Sequence, residues 1–250
     1  MNLYFATFRH LARSTWTVVS WFVFVIFGLV GYLSASHAQE VPGGCGTLSR
    51  PWGPFDYRPE RYVRESTYGS HAALLGIVEN AHFTPEVEKL IRGKTASTPG
   101  GDLSYTLGVF PNHHRALLSV IALGEKEKKD LFQDARFTVE CFLRRATTWR
   151  PDDPIVHMIF AQYLAGKSRT NEAEEQLKVA MNQAGDNAFT YHNIGLIYFD
   201  MKNYDKALTF AHKAYDLGLG IPTLRDQLKS VGKWAEPTGT PVADPEKKPE

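Results

Sequence analysis

The residues best equipped for chemistry sit in two short stretches, Glu79-Asn80-Ala81-His82 and His113-His114. On a helix, Glu79 and His82 share a face at i and i+3, the spacing with which carboxylate-bridged metal sites in helical bundles hold their ligands. Neutral imidazoles from His113 and His114 would complete such a site in a metal carrier or an enzyme. The pattern is incomplete, because those sites use a second Glu-x-x-His, and Thr84-Pro85 turns the chain just after His82.

A structural role competes with that reading. His113 and His114 fall in the first turn of a helix after Asn112, where the helix dipole disfavours a positive imidazole. Both are then neutral and bonded to backbone or carboxylates, knitting the N-terminal segment to the first helix pair. No serine, cysteine or lysine stands in a nucleophile motif, and no glycine-rich phosphate loop follows a strand. The expectation is a non-enzymatic protein without a cofactor, with Glu79, His82, His113 and His114 as the metal-binding or enzymatic alternative.

Two cysteines, Cys45 and Cys141, lack the spacing of a zinc site. In an oxidising compartment they are candidates for a disulfide; otherwise Cys141 is a small apolar residue inside a helix. The segment 1–38 bears on that choice. Arg9, His10 and Arg13 precede an apolar run from Val18 to Leu33, and Ser34, Ala35, Ser36 and Ala38 follow. This is the layout of a signal peptide, with cleavage predicted after Ala38. The alternative is an uncleaved anchor over residues 16–33, about 18 residues and near the lower limit for a spanning helix. In both readings the rest of the chain is exported. Without Arg9 and Arg13, 26 basic side chains face 27 acidic ones, and no basic run is interleaved with aromatics. Nucleic acid is therefore excluded as a partner.

The elements that position these residues follow from periodicity. Residues 39–110 form a loop-rich module carrying Trp52, Phe55, Asp56, Tyr57 and Arg58. Disordered segments lack so many aromatics, so this one is expected to pack as an ordered wrap. Within it, His71 to Gly93 is helical material, with Thr84 as a cap, Pro85 at a first helical position and Gly93 as a terminator; the type of Asp102 to Phe110 stays open. Asn112 is expected to cap a helix carrying Ala116, Leu117, Val120, Ile121 and Leu123. After a charged hinge from Gly124 to Asp130, a second helix is expected to carry Phe132, Phe137, Val139, Phe142, Leu143 and Ala146, closed by Pro151.

From Pro154 the sequence recurs with a period of about 34 residues. His157, Phe160, Ala161 and Leu164 recur as Tyr191, Ile194, Gly195 and Tyr198; Thr170, Ala173, Leu177 and Ala180 recur as Tyr204, Ala207, Ala211 and Ala214. This resembles the tetratricopeptide repeat, with repeats at 154–187 and 188–221, a degenerate pair at 111–151, a capping helix at 222–234 and a disordered tail at 235–250. The fold class is all-α, a short α-solenoid of tetratricopeptide-type helix pairs with the N-terminal wrap. The strings WGPFDYR (52–58), VENAHFTPEVEKL (78–90), PGGDLSYTL (99–107) and FPNHHRALLS (110–119) resemble those of a bacterial family of exported tetratricopeptide-repeat proteins. That resemblance names relatives without naming a reaction.

In such arrays the first helix of each pair lines a concave groove. The resemblance therefore implies a partner surface of Phe189, His192, Asn193, Leu196, Phe199 and Asp200, preceded by Ile155, Met158 and Gln162, with Asn193 in the place of a backbone-holding asparagine. The function expected is a periplasmic scaffold or adaptor that holds a segment of a cell-envelope protein. The membrane enters only through residues 16–33, if they remain uncleaved.

Overall fold

Helical spacing of apolar residues and well-placed caps produce ten helices, and no strand, among the residues described by the computed structural model, 39–58 and 70–237. They are α1 (His71–His82), α2 (Pro85–Glu88), α3 (Pro99–Val109), α4 (His114–Glu127), α5 (Val139–Trp149), α6 (Pro154–Gly166), α7 (Thr170–Gln183), α8 (Ala188–Asp200), α9 (Tyr204–Asp216) and α10 (Thr223–Ser230). The expected signal peptide or anchor lies outside the described residues, as does the tail after residue 237. No helix among the described residues is long and apolar enough to cross a membrane.

Adjacent helices pack as antiparallel pairs, most extensively α6 with α7 and α8 with α9. The second of these pairs repeats the first at the period seen in the sequence, since α8 starts at 188 against 154 for α6 and α9 at 204 against 170 for α7. Each turn between partners uses a left-handed residue at the same register, Ser168 at φ 59° and Lys202 at φ 60°. Asp153, Asn187 and Asn203 cap α6, α8 and α9 by accepting a backbone N–H with their side chains. Where the helices cross, Ala173, Leu177 and Ala180 on α7 and Ala207, Ala211 and Ala214 on α9 are completely buried. α10 closes the row over Gly195, where a Cβ would press on Leu224 Cδ2 and displace that side chain.

Several boundaries differ from those expected. α4 is capped by His113, whose Nδ1 accepts from the Ala116 N–H, and Asn112 is drawn instead into long-range bonds. α4 runs on to Glu127, through the expected hinge. Phe132 and Phe137 precede α5, which begins at Val139 behind the Thr138 cap; they pack into the core from the α4–α5 connection, so their burial does not need a helix. α2 ends at Glu88, with Leu90 left-handed at φ 57°, well before Gly93. Pro99 to Val109 is a full helix in spite of its glycines, started by the Thr98 cap and by Pro99 in the first turn.

Residues 39–58 run along α5 and α3 as the wrap. The Phe55 N–H donates to Val109 O at 2.8 Å and Trp149 Nε1 donates to Phe55 O at 3.3 Å. Arg145 Nη1 donates to the carbonyls of Cys45 and Thr47. Cys45 and Cys141 are joined by a disulfide, beside Val41, Leu48 and Trp149. Trp52, Phe55 and Tyr57 pack on a small core of Leu74, Val78, Val109 and Phe110 from α1 and the end of α3.

Candidate functional site

At the junction of the wrap, the start of α4 and the start of α6, a buried polar network gathers Asp56, Arg58, Asn112 and Asp153. Asn112 Nδ2 donates to Asp56 Oδ1 at 2.7 Å and to Asp153 Oδ2 at 3.1 Å, while its Oδ1 accepts the Tyr57 N–H at 2.9 Å. Arg58 grips Asp56 through Nε and Nη2 and reaches Asp152 Oδ2 at 2.9 Å. Arg150 Nε lies 2.7 Å from Asp56 Oδ2, an ion pair whose N–H direction falls short of a hydrogen bond. Burial works against the charge on Asp56, but bonds from Arg58 and Asn112 outweigh it and hold the carboxyl below its usual value. Such a network, buried and highly connected, fixes the path of the wrap over the helices.

The three histidines near this junction go to three different carboxylates. His113 Nε2 meets Glu79 Oε1 at 3.1 Å, His114 Nε2 meets Asp153 Oδ2 at 2.8 Å, and His82 Nδ1 meets Asp102 Oδ1 at 2.8 Å. Glu79, His82, His113 and His114 therefore do not share a centre, and no group of three or more His, Cys, Asp or Glu side chains that would hold a metal occurs among the described residues. Because His113 Nδ1 accepts a backbone N–H, its proton sits on Nε2 and is donated to Glu79. Burial pushes the pKa of His113 down, with Glu79 opposing in part, and the ring is stacked on Tyr57 at 4.0 Å between centroids.

His82 has the most chemical capacity of the three. Asp102, fully buried, also accepts backbone N–H groups of Lys94, Thr95 and Ala96, and by orienting His82 Nδ1–H it leaves Nε2 as the basic nitrogen. The ring stacks on Tyr105 at 3.9 Å. Among the described residues no hydroxyl, thiol or amine is hydrogen-bonded to Nε2, so the pair has a base without a nucleophile. Its evident work is to clamp the α2–α3 loop onto α1.

The groove residues are split by burial. Phe189, Asn193 and Asp200 are exposed, Leu196 and Phe199 are half-buried, and His192 is buried with Nδ1 lacking a partner. Met158 is buried as well, while Ile155 and Gln162 are exposed. α6 packs between α4 and α8. Each of the three helices leaves residues exposed on one stripe: Leu118, Ala122 and Glu125 on α4, Ile155 and Gln162 on α6, and Phe189 and Asn193 beside the half-buried Leu196 on α8. A cleft of about 340 Å³ opens between α4 and α6, walled by Leu118, Ile121, Val139, Gln162, Tyr163 and Lys167. The sequence reading does not single out its α4 side, although Leu118, an apolar residue beside the buried Leu117, is a usable signal. No family model, curated protein or solved structure matches the chain.

Proposed function

We propose that the chain is an exported protein-binding scaffold of the tetratricopeptide type, which holds a segment of a cell-envelope protein along α4, α6 and α8. The observation that carries this is one large apolar side chain left exposed on each of three neighbouring helices: Leu118 at 47%, Ile155 at 40% and Phe189 at 59%. Ile155 and Phe189 occupy the same repeat position, one period apart. Exposed apolar groups in register mark a surface that something covers, and burying one such side chain yields about 1.5–3 kcal/mol. Asn193 supplies an amide beside Phe189 for a partner's backbone, and the cleft between α4 and α6 takes a side chain.

Export is supported by the basic start, the apolar run and the small residues of the segment 1–38, and by the Cys45–Cys141 disulfide, which persists in oxidising compartments. Membership of the exported bacterial family is part of the same proposal and rests on the strings in the wrap, α1, α3 and α4.

The test is a photo-crosslinking amino acid placed at Asn193 or Gln162 and, as comparison, at the exposed Lys178 of α7. One discrete crosslinked protein from the envelope is expected at the first two positions and none at Lys178, with the signal lost in Phe189→Ala. The same bands at all three positions, or bands that survive Phe189→Ala, would overturn the groove reading.

A further inference from the structure

Arg50, Arg136 and Arg145 come from three separate segments: the wrap, the α4–α5 connection and α5. Arg136 and Arg145 share the Phe137 ring, and Arg50 and the Arg136 backbone contact the adjacent α3 residues Tyr105 and Ser104. Arg145 is 3% exposed, and its Nε is buried without a hydrogen-bond partner. Its guanidinium carbon lies 4.2 Å from the centre of the Phe137 ring, and that of Arg136 lies 5.8 Å from the same ring. The Arg136 backbone N–H donates to Ser104 Oγ, which anchors the connection on α3. Arg50 lies over the Tyr105 ring at 5.6 Å, and a Cβ on residue 108 would collide with its Nη1. Gly108 is thus what admits this guanidinium to the surface of α3.

Most other arginines of the fold are paired with a carboxylate, the exposed Arg92 apart. Arg58, Arg115, Arg144, Arg150 and Arg169 each have a carboxylate within 4.0 Å, whereas among the described residues Arg50, Arg136 and Arg145 have none. Burial first, then the neighbouring guanidiniums, lower the pKa of Arg145 to about 10, and burial followed by Arg136 lowers that of Arg50. Like charges brought together in a partly dehydrated place oppose folding. A multiply charged anion beside them would offset that repulsion.

We propose that Arg50, Arg136 and Arg145 form a binding site for a phosphate-class anion, with the rings of Tyr105 and Phe137 beside it. Arg145 Nη1 is taken by the carbonyls of Cys45 and Thr47, so the donors left for an anion are those of Arg50, Arg136 and Arg145 Nη2, and donors from three side chains suit the oxygens of a tetrahedral dianion better than one planar carboxylate. The phosphate can be free, on a soluble ester, or in a lipid headgroup. This site is independent of the groove on α4, α6 and α8.

The experiment uses the full chain in chloride buffer of fixed ionic strength, titrated with inorganic phosphate by calorimetry and by thermal melting. Wild type is expected to bind saturably and to melt higher with phosphate. Arg136→Ala, whose side chain makes no hydrogen bond among the described residues, should melt no lower than wild type without phosphate, because it removes repulsion. It should bind phosphate at least about tenfold more weakly. Arg50→Ala should lose affinity likewise, and the remote, exposed Arg225→Ala should behave as wild type. Co-sedimentation with phosphatidylcholine vesicles, with and without phosphatidic acid, separates a headgroup source from free phosphate. Absence of saturable binding, an unchanged phosphate response in both variants, or tighter binding of malonate than of phosphate would each overturn the proposal.

Discussion

His113 is the side chain through which acid reaches this fold. It is completely buried, neutral, and committed at both nitrogens, to the Ala116 N–H and to Glu79. Its folded pKa is lowered, so on acidification the unfolded chain takes up a proton that the folded chain refuses. Stability from this group is full above the ordinary imidazole value and falls as pH drops below it. Glu79 is held below its usual value, chiefly by the bond from His113, and adds a second loss at lower pH. Melting temperature is therefore expected to fall between about pH 7.5 and about pH 5.5, with a shallower slope in His113→Gln. That variant should cost roughly 1–3 kcal/mol at neutral pH. Equal slopes would place the acid sensitivity on another group. In the sequence a first-turn position argues for a neutral His113, whereas in the fold His113 is the cap itself and burial is what lowers its pKa. The choice of Asn112 between a local cap and partners 41 and 56 residues away was not legible, since only the fold brings Asp153 and Asp56 to it.

At the scale of the helix, the paired elements from Pro154 onward were open to reading because small residues recur at a fixed period where helices must approach. Ala173 and Ala207 are completely buried at the two crossings. Replacing either by Leu is expected to overpack the crossing and cost roughly 1–3 kcal/mol, measured by denaturant unfolding, whereas Lys178→Leu on the exposed face should change stability by less than about 0.5 kcal/mol. Unchanged stability in both alanine variants would separate the repeat period from the packing. The elements before Pro154 were harder to read, for two physical reasons. Phe132 and Phe137 look helical by hydrophobicity, yet they serve the core from an irregular connection. Thr95 to Gly101 looks like a loop by its glycines and the type of Asp102 to Phe110 stays open in the sequence, yet the Thr98 cap and tertiary contact make Pro99 to Val109 a helix.

Over the whole molecule, the wrap is tied to the helices by the aromatic cluster, the Asp56–Asn112–Asp153 network and the disulfide. The bridge joins residues 96 apart. By restricting the unfolded chain, a closure of that length stabilises by about 4–5 kcal/mol in the entropy model. A reductant is expected to lower the melting temperature of wild type and to leave Cys45→Ser and Cys141→Ser unaffected; a melt insensitive to reductant would show that the other ties suffice. The same topology sets an order of events during synthesis. α6 with α7 and α8 with α9 are made of neighbours in sequence and form as soon as each pair is complete. Asp56 and Arg58 must wait nearly a hundred further additions for Arg150, Asp152 and Asp153, while Trp52, Phe55 and Tyr57 stay uncovered until Val109 and Phe110 have been made. The part of the chain synthesised first among these residues is thus fastened late, and the interval is when a chaperone that grips exposed aromatics has its opportunity.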